Sequence, residues 1–315
     1  MFSSFNTLMS SIKNFFIRYL VRLNTGLRAP ARIPDTMHGA DESRESPVVN
    51  ALLFIATFVS TTIVGATAAG SFAGVLISGL PYSITLMTIL LAHEFGHFFA
   101  ARAFRVRSTL PYFIPFPSLV GTMGAVIKTK SAIPHRRALF YIGVMGPLPG
   151  FILSLAAVIA GIYLSEIKPL PTVGEGGFIL GDSFLVAIII KLIHGTIPAG
   201  FDIFLSPYAK AGWFGFLITS LNLMPIGQLD GSHILYALIG RNQLFFGWIS
   251  FAGLIVLSFI WPGWIVWIIM TLILLMVGHP DIPEGTELSG VEKTIGWICM
   301  IIFVLTFVPV PIDFI

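Results

Sequence analysis

Two histidines and a glutamate within five residues are the part of this sequence best suited to chemistry. They occur in the motif HEFGH at 93–97, directly after the apolar run at 89–92. In a helix, imidazoles four residues apart lie on one face, so His93 and His97 can bind the same metal ion. The carboxylate of Glu94, beside the first imidazole, can take a proton from water activated by that ion. The alternative is a buried polar cluster that hydrogen-bonds to neighbouring helices.

A catalytic zinc site usually has three protein ligands and one open position, so a third ligand is expected elsewhere. Asp230 is the only acid of an otherwise apolar stretch that Pro225 and Gly227 interrupt. Non-helical backbone at membrane depth is tolerated only beside protein or a wet cavity. Asp230 is therefore the predicted third ligand, with a helix-capping role as the alternative. Asp182 and Asp202 lie in polar loops, where a solvated acid is the ordinary interpretation.

The composition indicates a membrane protein. Hydrophobic residues make up 56% of the 315 residues and charged residues only 10%, against about 25% charged in soluble domains. The net charge of +3, without a dense basic tract, excludes a disordered chain and a nucleic-acid-binding role. The single cysteine, Cys299, cannot form an intramolecular disulfide.

The elements that position these residues are predicted to be transmembrane helices, each of which needs about 20 apolar residues. Residues 70–80 end at Pro81 and are interpreted as a re-entrant stub or a continuation of the first span, and 184–193 as a surface or re-entrant helix. We expect an all-α polytopic membrane protein with about six to seven transmembrane helices. The predicted spans are 50–68, 82–103, 138–164, 212–239, 243–261, 262–278 and 294–312.

Basic residues suggest the orientation. If the N-terminus is cytosolic and the spans alternate, all 18 Lys and Arg lie inside except Lys168, Lys191 and Lys210. The N-terminal segment is amphipathic and basic, which is typical of a helix on the membrane surface. The predicted divisions are an interfacial segment at 1–49, a first transmembrane region at 50–81, a catalytic membrane core at 82–241 and C-terminal helices at 242–315.

Several motifs together resemble the site-2 protease family of intramembrane zinc metalloproteases, in its compact branch without an inserted PDZ-like domain. The resemblance implies one Zn²⁺ per chain, bound by His93, His97 and Asp230, with Glu94 as the general base. Ser232 departs from the family, in which many members have glycine. The matching stretches are HEFGH at 93–97, 101–118, GTMGAVIKTKS at 121–131, PHRRALFYIGVMGPLPG at 134–150 and NLMPIGQLDG at 222–231.

The stretch between the second and third spans is predicted to form a small β-hairpin or strand element near the inner interface. An unwound transmembrane substrate needs partners for its freed N–H and C=O groups, and a strand edge can supply them. The alternative is an interfacial hairpin without substrate contact. The candidate substrate-binding residues are Gly121, Thr122, Met123, Gly124 and Ala125, together with Asn222, for which an interhelical hydrogen bond is the alternative.

Other residues near the motifs receive supporting roles. Gly146 and Gly150 are expected to let the third span pack closely on the HEFGH helix. His233, about one turn after Asp230, is expected to hydrogen-bond at the site rather than to bind metal. His135 and His38 are interpreted as solvated interfacial residues. His194, on the outer side, is expected to be unrelated to the zinc, and His279 has no predicted partner.

The predicted function is an intramembrane zinc endopeptidase that hydrolyses peptide bonds within or next to transmembrane segments, as in regulated intramembrane proteolysis. The expected partners are a membrane-protein substrate with a transmembrane helix and the lipid bilayer, without nucleic acid; the oligomeric state stays open. The expected location is a prokaryotic plasma membrane, with a plastid or other organellar membrane as the alternative. Alternative functions are a catalytically inactive scaffold or chaperone, and a metal transporter.

Overall fold

Helices dominate the part of the chain that the computed structural model describes, namely residues 47–67, 71–170, 178–277, 282–283 and 287–314. Residues 1–46, with His38, lie outside it, as does His279, so the predicted surface helix at the N-terminus is not described. In chain order the elements are α1 Pro47–Gly65, α2 Phe72–Ala103, β1 Tyr112–Pro115, β2 Thr122–Val126, α3 Arg136–Met145, α4 Pro147–Tyr163, β3 Glu166–Pro169, β4 Phe178–Leu180, α5 Phe184–His194, β5 Phe201–Phe204, α6 Pro207–Asn222, α7 Asp230–Ile239, α8 Gln243–Ser258, α9 Trp264–Val277, α10 Gly290–Thr306 and β6 Ile312–Phe314.

Among the described residues, three helical segments are long and apolar enough to cross a membrane: α1, α2 and the consecutive pair α3–α4, Arg136–Tyr163. They correspond to the first three predicted spans. The interpretation of residues 70–80 as a stub or part of the first span is wrong, because α2 already begins at Phe72 and continues through Pro81. The start is fixed by Ser71, whose side chain accepts a hydrogen bond from the amide of Gly74 at 3.0 Å.

The fourth predicted span is broken at the predicted interruption. Helix α6 ends at Asn222 and α7 begins at Asp230. Between them, Gly227 adopts a φ of 58°, which favours glycine. The buried hydroxyl of Ser232 lies 2.7 Å from the carbonyl oxygen of Gly227, so the first turn of α7 holds the break in place.

Strands β1 and β2 form the predicted antiparallel hairpin, but its depth differs from the prediction. At its base, Asn50 in the first turn of α1 donates to the carbonyl of Pro111 at 2.9 Å. At its tip, a side chain on Gly121 would lie 2.8 Å from the Cα of Thr61. The eleven steps of helix from Asn50 to Thr61 correspond to about 16 Å along α1. The hairpin therefore extends along α1, from the first turn of this helix to Thr61, and is not confined to the interface.

Two further strand pairs were not predicted from the sequence. Strand β3 pairs with β5, and β4 pairs with β6 near the C-terminus, both antiparallel. The last predicted span, 294–312, is accordingly too long at its end, because α10 stops at Thr306 and the chain then pairs as β6. Helix α5 has the short length expected for 184–193.

Candidate metal site

The structure brings together the three predicted metal ligands. The Nε2 atom of His93 lies 3.4 Å from Oδ2 of Asp230, and Nε2 of His97 lies 3.3 Å from the same oxygen. The ligand atoms of all three residues lie within 4.8 Å of one another. Zinc bonds of 2.0–2.1 Å in a tetrahedron place neighbouring ligand atoms about 3.3 Å apart. Donor types and spacing therefore fit a tetrahedral zinc ion.

Local features of the chain position each ligand residue at the metal site. His93 and His97 are one turn apart on the buried side of α2, where the helical repeat aligns them. Asp230 is the first residue of α7, just after the break. The chain turns back tightly there, because a side chain on Gly231 would lie 2.9 Å from the Cα of Leu223 and overlap its carbonyl oxygen.

The two imidazoles have different partners, and only that of His97 leaves the Nε2 lone pair for a metal. The Nδ1–H of His97 donates to the carbonyl of Ile142 at 2.7 Å, so that in the neutral imidazole Nε2 is the unprotonated nitrogen. The amide Nδ2 of Asn222 lies 3.1 Å from Nε2 of His93, and a hydrogen bond donated to this nitrogen would use the lone pair that a metal ion needs. This contact is the interhelical hydrogen bond considered as the alternative for Asn222. Its contact with a substrate stays a prediction.

The two glycines of the third span pack against the two imidazoles, as predicted. A methyl group on Gly146 would lie 2.5 Å from Cδ2 of His97 and closer to Nε2, and one on Gly150 would lie 3.2 Å from Nδ1 of His93. The glycines are four residues apart, like the histidines they face. Gly96 completes the contact, because a side chain there would overlap the carbonyl of Met145. The backbone of this segment is therefore part of the wall of the metal site.

Glu94 is 5% exposed and lies between the two histidines in sequence, on the same turn of α2. His233 is half-buried on α7 beside Gly143, where a side chain would lie 3.1 Å from the Cβ of His233. The general-base role of Glu94 and the hydrogen-bonding role of His233 at the site stay predictions.

The candidate substrate-binding residues lie on the hairpin. Thr122, Met123, Gly124 and Ala125 are in β2, directly after Gly121. Met123 is 67% exposed, and the Thr122 hydroxyl accepts from the amide of Gly124 at 2.9 Å. Ala125 packs against a core cluster that includes the α2 residues preceding the HEFGH motif. The hairpin thus lies along the helix that carries the histidines.

Two contacts near the site were not found from the sequence. Arg136 donates from Nη2 to the carbonyls of Tyr236 and Ala237 at 3.0 and 3.2 Å, at the C-terminal end of α7. His135 is half-buried and its Nδ1 accepts from the amide of Ala138 at 3.1 Å, so it caps α3, a role that the interpretation as a solvated residue did not include. Histidine is an uncommon N-cap, and a carbonyl acceptor leaves no sequence signal.

A model of peptidase family M50 matches residues 81–260, which include all three clustered ligands. The chain belongs to peptidase family M50. This membership confirms the resemblance to the site-2 proteases. The chain is also similar to two Arabidopsis thaliana proteins, "Probable zinc metalloprotease EGY1, chloroplastic" at 31% identity over 245 residues, and "Probable zinc metalloprotease EGY2, chloroplastic" at 31% over 165 residues. These matches cover 74% and 52% of this chain, and 43% and 29% of the respective relatives. The chain thus spans less than half the length of these relatives.

Proposed function

We propose that this M50 family member is an intramembrane zinc endopeptidase that cuts peptide bonds within or next to transmembrane segments. The observation that carries the proposal is the spacing of 3.3 and 3.4 Å between the imidazole nitrogens and the Asp230 carboxylate. The two imidazoles lie on α2, which is long and apolar enough to span a membrane. The family membership and the names of the relatives support a membrane zinc protease.

In this proposal His93, His97 and Asp230 bind one zinc ion per chain. Bound zinc supplies Lewis-acid chemistry that activates water and polarises a peptide carbonyl. Glu94 takes the proton of the attacking water and delivers it to the leaving amine, as general base and then general acid. Its burial keeps bulk water away from this proton transfer. The Asn222 amide, 3.1 Å from His93, is close enough to the ligand set to hold the substrate backbone beside it.

The hairpin supports a transmembrane substrate. Such a helix must unwind before its peptide bonds can react, and its freed backbone groups then need partners. Within the described residues, β2 pairs only with β1, so its other edge has no neighbouring strand. A substrate strand can add to this edge by backbone hydrogen bonds. The substrate contacts of 121–125 and Asn222 are part of this proposal.

We also propose seven crossings with a cytosolic N-terminus, and residues 82–241 as the catalytic core. The pairing of β4 with β6 requires these two strands to lie on one side of the membrane, which holds if four crossings separate them. The amide of Arg136 donates to the carbonyl of Pro283 at 3.3 Å, which places the loops before α3 and α10 on one side as well. The orientation itself follows from the basic residues alone. The predicted prokaryotic plasma membrane gains no support, because the relatives named above are chloroplastic.

The test compares wild type, Glu94→Gln and Asp230→Ala, with Asp202→Asn on β5 as a control acid remote from the motif. Each protein is purified in detergent, its zinc content is measured, and it is incubated with single-span model substrates. We expect one zinc per chain and cleavage for wild type and the control, zinc without cleavage for Glu94→Gln, and reduced zinc for Asp230→Ala. Cleavage by Glu94→Gln at the wild-type rate would contradict the proposed base. Zinc without cleavage by wild type would favour a scaffold or a transporter.

A further inference from the structure

The hairpin continues below β1 and β2 into a short basic ladder. The amide of Thr109 donates to the carbonyl of Lys128 at 3.0 Å, and the amide of Lys130 donates to the carbonyl of Arg107 at 2.7 Å. Between these bonds, Ser108 and Thr129 form an antiparallel bridge. The chain entering β1 and the chain leaving β2 are therefore still paired backbone to backbone at this level.

This ladder concentrates positive charge on one surface. Arg107, Lys128 and Lys130 are all exposed. Residues two apart on an extended chain project to the same face, so Lys128 and Lys130 share a face. The backbone bond places Arg107 directly across from Lys130, where side chains are about 5 Å apart. The three side chains together raise the density of positive charge on this face, which attracts an anionic group.

The position of the ladder indicates which anionic group could bind there. The ladder follows α2, which ends at Ala103, and lies just below the Asn50 contact at the base of the hairpin. A substrate strand on the free edge of β2 would leave the membrane past Lys128 and Lys130. The substrate residues that reach the ladder are those immediately outside its transmembrane segment.

We propose that Arg107, Lys128 and Lys130 select substrates with Asp or Glu immediately next to the transmembrane segment, on the side of the membrane where α2 ends. This inference rests on the proposed protease function. Transmembrane segments usually carry Lys or Arg on their cytosolic side, and the ladder repels these residues. It therefore discriminates among substrates by rejecting basic flanks as well as by attracting acidic ones.

The experiment uses three substrates with the same transmembrane segment, flanked by two Glu, two Gln or two Lys. Wild type should cleave the Glu substrate with a kcat/KM about tenfold above that of the Lys substrate, as expected for one or two exposed charge pairs. The double variant Lys128→Glu/Lys130→Glu should prefer the Lys substrate. Lys293→Glu, which changes an exposed lysine in the first turn of α10, should keep the wild-type order. Zinc content is measured for every variant to show that the site is intact.

Equal cleavage of the three substrates by wild type would overturn the selection while leaving the protease function in place. The assay is repeated in vesicles with different contents of anionic lipid. If cleavage depends on this lipid content and not on the substrate flank, the ladder binds lipid headgroups, and the proposed substrate selection is overturned. Failure of zinc-loaded wild type to cut any substrate would contradict the protease function, and this inference with it.

Discussion

Replacing Gly146 with alanine tests whether the close packing around the metal ligands is required for metal binding. Gly146 has φ −84° and ψ −63°, which alanine adopts easily, so the change acts through space and not through backbone strain. The added methyl carbon would lie 2.5 Å from Cδ2 of His97 and nearer to Nε2, the predicted metal-binding atom. Carbon atoms in contact are about 3.5–4.0 Å apart. The imidazole or the helix must therefore move by about 1 Å or more.

The surroundings of His97 do not allow that movement without cost to the site. Its other ring nitrogen is bonded to the carbonyl of Ile142 at 2.7 Å, so a tilt of the ring breaks this bond. Metal-ligand distances tolerate deviations of about 0.2 Å, several times less than the required shift. Losses of groups that orient a ligand reduce metal affinity by about 10–100-fold. We expect Gly146→Ala to lower the zinc affinity by about 10–100-fold or more.

The assay measures zinc retained per chain against a series of chelators of increasing affinity, followed by rebinding. Two glycine-to-alanine changes provide a graded control. At Gly150 the new carbon would lie 3.2 Å from Nδ1 of His93, so a shift of a few tenths of an ångström suffices and a smaller loss is expected. At Gly253 nothing lies within 4 Å, and no loss is expected. Wild-type zinc affinity in Gly146→Ala would refute the argument that this contact shapes the metal site.

Three further substitutions distinguish effects on the hairpin and on the stability of the fold from effects on zinc binding. Tyr82→Phe removes the donor of the 2.9 Å hydrogen bond to the carbonyl of Val120 at the hairpin tip; we expect a several-fold higher KM with unchanged zinc, measured by steady-state cleavage. Gly124→Pro conflicts with a φ of 93°, because proline is fixed near −65°; cleavage should fall more than zinc content, and equal loss of both would indicate misfolding. Glu292→Ala removes the 2.6 Å contact with Arg137 and half of the capping box at the start of α10. We expect the protein to lose about 1–3 kcal/mol of stability. The thermal midpoint should therefore fall while the zinc content stays unchanged.

The candidate metal site was accessible from the sequence because its signals are local. The spacing of His93 and His97 needs only a helix to align the imidazoles. Asp230 could be selected because one acid in an apolar stretch is costly unless it has a partner. Pro225 and Gly227 marked the break before it, and the structure places the break there. None of these inferences required knowledge of how the helices pack.

The features that sequence analysis missed depend on contacts between distant segments. The depth of the hairpin is set by Asn50 and Tyr82, on two different helices. The pairing of β4 with β6 joins segments more than a hundred residues apart, and neither has a strong strand pattern of its own. Pro81 predicts a helix boundary, but α2 continues through it. Membrane helices tolerate proline because neighbouring groups satisfy the freed backbone.

The short helix α3 carries no metal ligand, but it contacts both helices that do, α2 and α7. In α3, the carbonyl of Ile142 accepts from His97, and Gly143 lies so close to α7 that a side chain there would be 3.2 Å from the carbonyl oxygen of Asp230. At the start of α3, Arg136 donates to the last carbonyls of α7, where a cation also interacts favourably with the helix dipole. Both ligand helices are thus fixed to the same rigid element. Because α3 sets the spacing between their ligand atoms, changes in its packing face should weaken zinc binding before they unfold the protein.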